Sequence, residues 1–255
     1  MLLDQLEILL LSLIQGVSEF LPVSSTAHLV IVSKLYQFEN QNLLIDISLH
    51  LGSLLAILFF FRDKFFNFKK NKKLFANILI ATLPLLPVGY FLYETGLIQY
   101  LRNIKVIAWT TLFFGILIYF ADKSKNSKKI SSGLNIKISL IVGLFQVLAL
   151  IPGVSRAGIT ITASRFLGFD RIDSSKIAFY LSIPALTAVS IFGIYNLSQQ
   201  NIEFNILAFA GIIFSFLFSL ATINFFLKFV SKFTLNIFVL YRIILSMILF
   251  LIIYF

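Results

Sequence analysis

Six nearly uncharged apolar stretches of membrane-spanning length dominate the sequence: about 43–61, 74–92, 106–121, 177–196, 206–228 and 233–255. A helix crossing the hydrocarbon core needs roughly 20 mainly apolar residues, so these six constrain the fold more than any other feature. The 255 residues are 59% apolar and 13% charged, against roughly 45–50% and about 25% in soluble domains. Too few charges remain to coat a soluble globule, and the hydrophobicity is far too high for a disordered chain. With no cysteine, disulfides, thiolate metal sites and a cysteine nucleophile are excluded. The formal charge of +10 falls on residues flanking the apolar stretches, which suits an anionic membrane surface and not nucleic acid. The start, MLLDQLE, lacks the basic region of a cleaved leader, so none is expected.

Loop charge orients the spans. Segment 62–73 carries Arg62, Lys64, Lys69, Lys70, Lys72 and Lys73 against Asp63, and 122–137 carries five lysines against Asp122. Segments 36–42 and 197–205 have no base. The positive-inside rule places the lysine-rich loops in the cytoplasm, the base-free segments and the weakly basic 93–105 linker outside, with the spans alternating. Arg242 falls inside the last span, where snorkelling or pairing could accommodate it; the sequence gives no account of its role.

Two further apolar stretches, 5–35 and 138–168, are too long for one simple helix and are broken by LPVSST (21–26) and IPGVSR (151–156). For the charge alternation to hold, each must return to the side it came from, as a re-entrant helical hairpin whose non-helical backbone is buried in protein or lines a cavity. A Pro-kinked span is the competing reading. The two breaks also resemble each other: Gln15, Val23 and Ser24 align with Gln146, Val154 and Ser155 at one offset. Three spans follow each copy, so the second inserts upside down and the breaks meet near the midplane. The expected fold is an all-α polytopic membrane protein of six transmembrane helices plus two re-entrant hairpins. It forms one integral domain (1–255), built as an inverted-topology repeat with halves near 1–125 and 126–255.

In each break a serine precedes a new helix, so two helix N-termini with unpaired N–H groups would face one cavity and attract phosphate. Arg156 adds a guanidinium suited to bidentate contact. Helical spacing groups Gln15, Glu19, Ser25 and His28 from one hairpin with Ser155, Arg156 and Thr160 from the other. An intramembrane ionisable group is costly and marks function by default, so Glu19 is the first catalytic candidate and His28 an acid, base or nucleophile. His50 has no such company and reads as packing or support. Glu19 and His28 align with Leu150 and Ile159, and Ser25 with Arg156. One hairpin thus brings acid–base or metal-binding groups and the other a cation, a division suited to phosphoryl chemistry on a lipid headgroup.

The segments QGVSEFLPVSSTAHL (15–29) and PGVSRAGITIT (152–162) closely resemble the two signature motifs of the undecaprenyl-diphosphate phosphatase, or bacitracin-resistance, family. The similarity runs along the chain through DISLHLGSLLAI (46–57) and FYLSIPA (179–185). The resemblance implies hydrolysis of undecaprenyl diphosphate to the monophosphate at the outer face of the bacterial cytoplasmic membrane, recycling the cell-wall carrier lipid and conferring bacitracin resistance. It implies catalytic roles for Glu19, Ser25, His28 and Arg156, and substrate contacts from Ser24, Thr26, Ser155 and Thr160. A divalent cation, Mg2+ or Ca2+, is also implied, with Glu19 and Gln15 as candidate ligands. Implied partners are the polyprenyl diphosphate, membrane lipids and a possible homodimer, with no nucleic acid. Gln15 is the Gln form of the first motif, and Ala157 replaces a serine usual after the arginine. The nucleophile stays open between Ser25 and His28. A polyprenyl-phosphate transporter or flippase is the alternative from another class, since inverted repeats around a midplane anion site also build transporters.

Overall fold

The protein is described by a computed structural model covering residues 2–36, 43–124, 126–197 and 202–254. Helices run in the order α1 (Leu2–Ser18), α2 (Ser25–Tyr36), α3 (Leu43–Phe60), α4 (Arg62–Phe66), α5 (Phe68–Thr82), α6 (Leu85–Glu94) and α7 (Leu97–Leu101). They continue as α8 (Ile104–Lys123), α9 (Ile130–Gly133), α10 (Ile136–Val147), α11 (Arg156–Phe166), α12 (Arg171–Leu197), α13 (Ile202–Lys232) and α14 (Asn236–Tyr254). The only β pairing among the described residues is a single bridge, Lys128 to Phe169.

Local chemistry sets several boundaries. Asn103 and Asn135 sit in extended backbone and accept from the amides of Val106 (2.9 Å) and Ile138 (3.0 Å), opening α8 and α10. These are side-chain caps for otherwise orphan N–H groups. The 74–92 stretch is not one uninterrupted helix: it divides at Leu83–Pro84 into α5 and α6. Pro84 keeps helical angles, and 68–94 remains one apolar stretch of spanning length, so the missing amide interrupts the helix bonding without ending the span. Both long apolar segments break where the Pro and Ser residues lie. The first stops at Ser18 and restarts at Ser25; the second passes through a 3-10 turn, Leu148–Leu150, and restarts at Arg156.

Five helical stretches are long and apolar enough to cross a membrane: 68–94, 104–123, 171–191, 206–232 and 236–254. The chain is therefore a multi-pass membrane protein. The first expected span corresponds to α3, whose apolar part, Leu44–Phe60, is shorter. Of the two base-free loops, residues 37–42 and 198–201 lie outside the described residues. Large side chains such as Phe113, Phe120, Leu217, Phe225 and Leu240 are exposed, which a lipid environment accommodates and water does not.

Small residues let the helices approach. α3 packs against α13, and α13 also packs against α1. A Cβ on Gly52 would come 2.8 Å from Ser215 Cβ, and one on Gly16 would come 2.9 Å from Ser219 N. Across this seam Ser219 Oγ donates to Ser53 Oγ at 2.9 Å, and Ser53 and Ser215 share a hydrogen bond of 3.2 Å. Close backbones joined by hydroxyl pairs are how helices associate where lipid removes any hydrophobic drive. At the lysine-rich end, buried Asp122 accepts from Arg171 Nε (2.7 Å) and Leu235 N (2.9 Å) and lies 3.3 Å from Arg165 Nε. That carboxylate ties α8 to α11, α12 and the turn before α14.

Candidate active site

Among the described residues, Ser24 (φ 78°) and Ser155 (φ 71°) are the only non-glycine residues in left-handed backbone. They occupy equivalent places in the two breaks, each just before a helix. For an L-residue this geometry costs roughly 1–2 kcal/mol, so the surrounding structure must hold it. Each carbonyl opens its helix, Ser24 O accepting from His28 N (3.3 Å) and Ser155 O from Ile159 N (2.9 Å). Their side chains differ. Ser155 Oγ caps α11 by accepting from Gly158 N at 3.1 Å, whereas the Ser24 hydroxyl makes no hydrogen bond to a described residue and faces the cavity.

Glu19 is the hub between the breaks. Its Oε1 accepts from Arg156 Nη2 at 2.8 Å; its Oε2 accepts from Ser25 Oγ at 2.6 Å and from Gln15 Nε2 at 3.0 Å. The Glu19 and Arg156 side chains are 6% and 12% exposed, so this ion pair is desolvated and strong geometry is needed to hold it. Gln15 is positioned by Ser53 Oγ at 3.4 Å, which links the site to the α3–α13 seam. Arg156 Nη1 donates to Ala178 O at 2.8 Å. Two of the five guanidinium N–H groups are thus used, and the others remain for a ligand.

Glu19, Ser25 and Arg156 line one cavity of about 270 Å³ together with Ser24, Thr26 and Ser155. Apolar lining comes from Leu85, Leu150, Ala185, Leu186 and Val189. The polar candidates from both hairpins therefore converge, with three exceptions. Gln15 is fully buried and meets the site only through Glu19. His28 does not line the cavity. Its ring stacks on Tyr241 of α14 at 5.7 Å, Nδ1 pairs with Ser24 O at 2.7 Å and Nε2 with Tyr241 Oη at 2.5 Å. Helical spacing placed His28 above Ser24 and Ser25, but the ring turns toward α14, where it finds an aromatic face and a hydroxyl. Thr160 is fully buried and donates back to Arg156 O (2.7 Å) and Ala157 O (3.2 Å); it supports α11 instead of reaching the cavity.

Two other side chains take part. His50 lines the cavity with Nε2 3.7 Å from Glu19 Oε2, while Nδ1 pairs with Asp46 O at 2.6 Å. Arg102 also lines it, 3.4 Å from Asp46 Oδ2. Both come from elements distant in sequence, so no local pattern brings them to Glu19. For His50 the available signal is Gly52 and Ser53 beside it, the small residues that bring α3 against its neighbours.

The expected cation finds few ligands. Among the described residues no cluster of three or more His, Asp or Glu side chains forms a metal cage. Glu19 Oε2 is one hard oxygen donor, and Gln15 Oε1, buried and without a hydrogen-bond partner, is another. Two oxygens suit Mg2+ or Ca2+ only where substrate oxygens and water complete the shell, as Mg2+ commonly requires.

Residues 8–248 match the family described as bacitracin resistance protein BacA. The chain belongs to this family. Its relatives include the undecaprenyl-diphosphatase of Pelagibacter ubique, 55% identical over 250 residues and 98% of both chains. The undecaprenyl-diphosphatase of Saccharophagus degradans is 37% identical over 99% of this chain and 100% of its own. That of Jannaschia sp. is 37% identical over 96% and 97%. The family match spans both breaks, every cavity residue named above, and Arg242.

Proposed function

We infer that the chain hydrolyses undecaprenyl diphosphate to undecaprenyl phosphate and inorganic phosphate, the activity that underlies bacitracin resistance and carrier-lipid recycling for the cell wall. The carrying observation is the chain Ser25 Oγ–Glu19–Arg156, which puts a hydroxyl, its proton acceptor and a phosphate-binding cation together at two helix starts. The cavity's apolar lining suits the first isoprene units, and its polar lining suits the diphosphate.

In the proposed reaction the terminal phosphate lies on Arg156 and the helix-start amides, whose partial positive charge favours it. Ser25 Oγ gives its proton to Glu19 Oε2 and forms a bond to the terminal phosphorus. The bond from that phosphorus to the bridging oxygen breaks, and its electron pair leaves on undecaprenyl phosphate. Arg156 neutralises charge on the equatorial oxygens as the transition state forms. Water then attacks the phosphoserine. Glu19 returns its proton to Oγ as the Oγ–P bond breaks, and the water proton leaves with phosphate. Glu19 and Gln15 would hold a divalent cation, which when bound would supply further positive charge to the diphosphate. Ser25 is favoured over His28 as nucleophile because its hydroxyl already lies on a proton acceptor, whereas the His28 ring is engaged by Tyr241.

The same reading includes six spans, two re-entrant hairpins related as an inverted repeat, and a cavity opening to the outer face. The paired left-handed serines and the loop charges support it. In a chain without cysteine, single cysteines at positions 199 and 126 test the orientation. An impermeant thiol reagent on spheroplasts is expected to label 199 and spare 126; the reverse contradicts the orientation. For the activity, purified protein in detergent is expected to release phosphate from undecaprenyl diphosphate and to slow with chelator. Intact substrate would instead favour lipid transport.

A further inference from the structure

Arg242 neither snorkels nor pairs with an acid. It is fully buried in α14, with no carboxylate within ion-pair distance among the described residues. Its five N–H groups all meet main-chain carbonyls. Nε donates to Thr111 O (3.1 Å), Nη1 to Pro22 O and Val154 O (both 3.1 Å), and Nη2 to Gly153 O (2.8 Å) and Thr110 O (3.4 Å). Pro22 belongs to the first break, Gly153 and Val154 to the second. These carbonyls precede the left-handed serines and lie where regular helix bonding has stopped. Unsatisfied carbonyls at membrane depth are costly, and one planar, five-donor group satisfies both breaks at once.

Orientation follows from the same contacts. In a trans peptide the C=O and N–H point opposite ways. With Val154 O turned to Arg242, the Ser155 N–H points away from it; that amide makes no hydrogen bond to a described residue, and Ser155 lines the cavity. We propose that Arg242 is a positioning residue for phosphoryl transfer: by binding the carbonyls of both breaks it fixes the two helix starts relative to each other and aims the Ser155 amide at the phosphate. It touches neither substrate nor Glu19, and acts through the backbone that carries Ser25 and Arg156. The proposal rests on the phosphatase reading above.

The test uses full-length protein in detergent with undecaprenyl diphosphate as substrate and orthovanadate as a transition-state mimic. Arg242→Lys keeps the charge but has at most three donors and no planar fork. It is expected to stay helical and monodisperse while kcat falls about 10- to 100-fold, the scale of a displaced reacting group, with KM within about threefold. The vanadate inhibition constant should rise with the fall in kcat, which a merely structural role would not produce. Gly115→Ala perturbs the same guanidinium from α8, since its Cβ would lie 3.0 Å from Arg242 Cβ and 3.3 Å from Nε. It should give a smaller loss with the same split, and it carries the test should Arg242→Lys not fold. Folded variants with kcat within twofold of the parent, a kcat loss that leaves vanadate inhibition unchanged, or failure of both variants to fold overturn the proposal. Absence of phosphate release by the parent protein would instead overturn the phosphatase reading.

Discussion

The two breaks share a backbone and differ in chemistry. Each has a Pro, a left-handed serine and a new helix, and each lends a carbonyl to Arg242. The first then presents acceptors and a hydroxyl, Glu19 and Ser25, while the second presents a guanidinium, Arg156, and a capped helix. On the proposed reading, the backbone common to both breaks supplies two helix starts for the diphosphate, and differences at single positions split the labour between proton transfer and charge neutralisation. A site made of two copies of either break would lack one of these.

The largest effect is expected in the first break. Glu19→Gln keeps the shape but removes both the proton acceptor and the charge opposite Arg156, and turnover should fall by about 10³- to 10⁴-fold, the upper part of the roughly 10²–10⁴ that general-base catalysis contributes. Glu19→Ala is a harsher change that also leaves Arg156 buried without its partner, at about 3–5 kcal/mol of stability. Phosphate-release assays normalised to folded protein separate the two. Near-parental turnover in Glu19→Gln would remove the first break from the chemistry.

In the second break, Arg156→Lys is expected to lose about 10²- to 10³-fold in kcat, because a point charge does not reproduce a planar fork on phosphate. Activity within a few-fold of the parent would show that simple charge suffices there and would blur the division between the breaks.

The shared scaffold makes a smaller, structural prediction. Gly153 has φ 89°, and a Cβ there would collide with Thr110 Oγ1 and come 2.9 Å from Ile107 O. Gly153→Ala should destabilise by about 1–3 kcal/mol. Ser24→Gly relieves left-handed strain and should instead stabilise by a few tenths to about 1 kcal/mol. Thermal unfolding in detergent reads both. The same sign for the two variants would mean that the breaks are not held as described.

The smallest effects should come from the histidines. His28→Ala removes contacts to Ser24 O and Tyr241 but no cavity-lining group, so a loss of about tenfold or less in kcat is expected. His50→Ala opens space beside Glu19 and should act at least as strongly. A complete loss in His28→Ala with normal folding would return the nucleophile to that ring.

Much of this site is legible in the sequence because its parts are local. Gln15 and Glu19 lie one helical turn apart, the Pro–Ser breaks announce the helix starts, and Arg156 follows directly on its serine. Orientation of side chains is not local. His28 has the right spacing but turns to α14, and His50 and Arg102 reach the cavity only through tertiary packing. Arg242 shows both limits: a lone charge in an apolar span signals a buried task, yet its five carbonyl partners come from three separate segments that no spacing rule connects. The division of one span at Pro84 is equally hidden, since proline permits either an interruption or an end.

The central claim is that Ser25 and Glu19 act as one unit. A double-mutant cycle in kcat, with Ser25→Ala, Glu19→Gln and the double variant purified side by side, tests it most directly. Groups that work as a unit are strongly non-additive, so each single variant should be nearly inactive and the double variant no slower than the slower single one. Multiplying losses, or substantial turnover in Ser25→Ala, would contradict it.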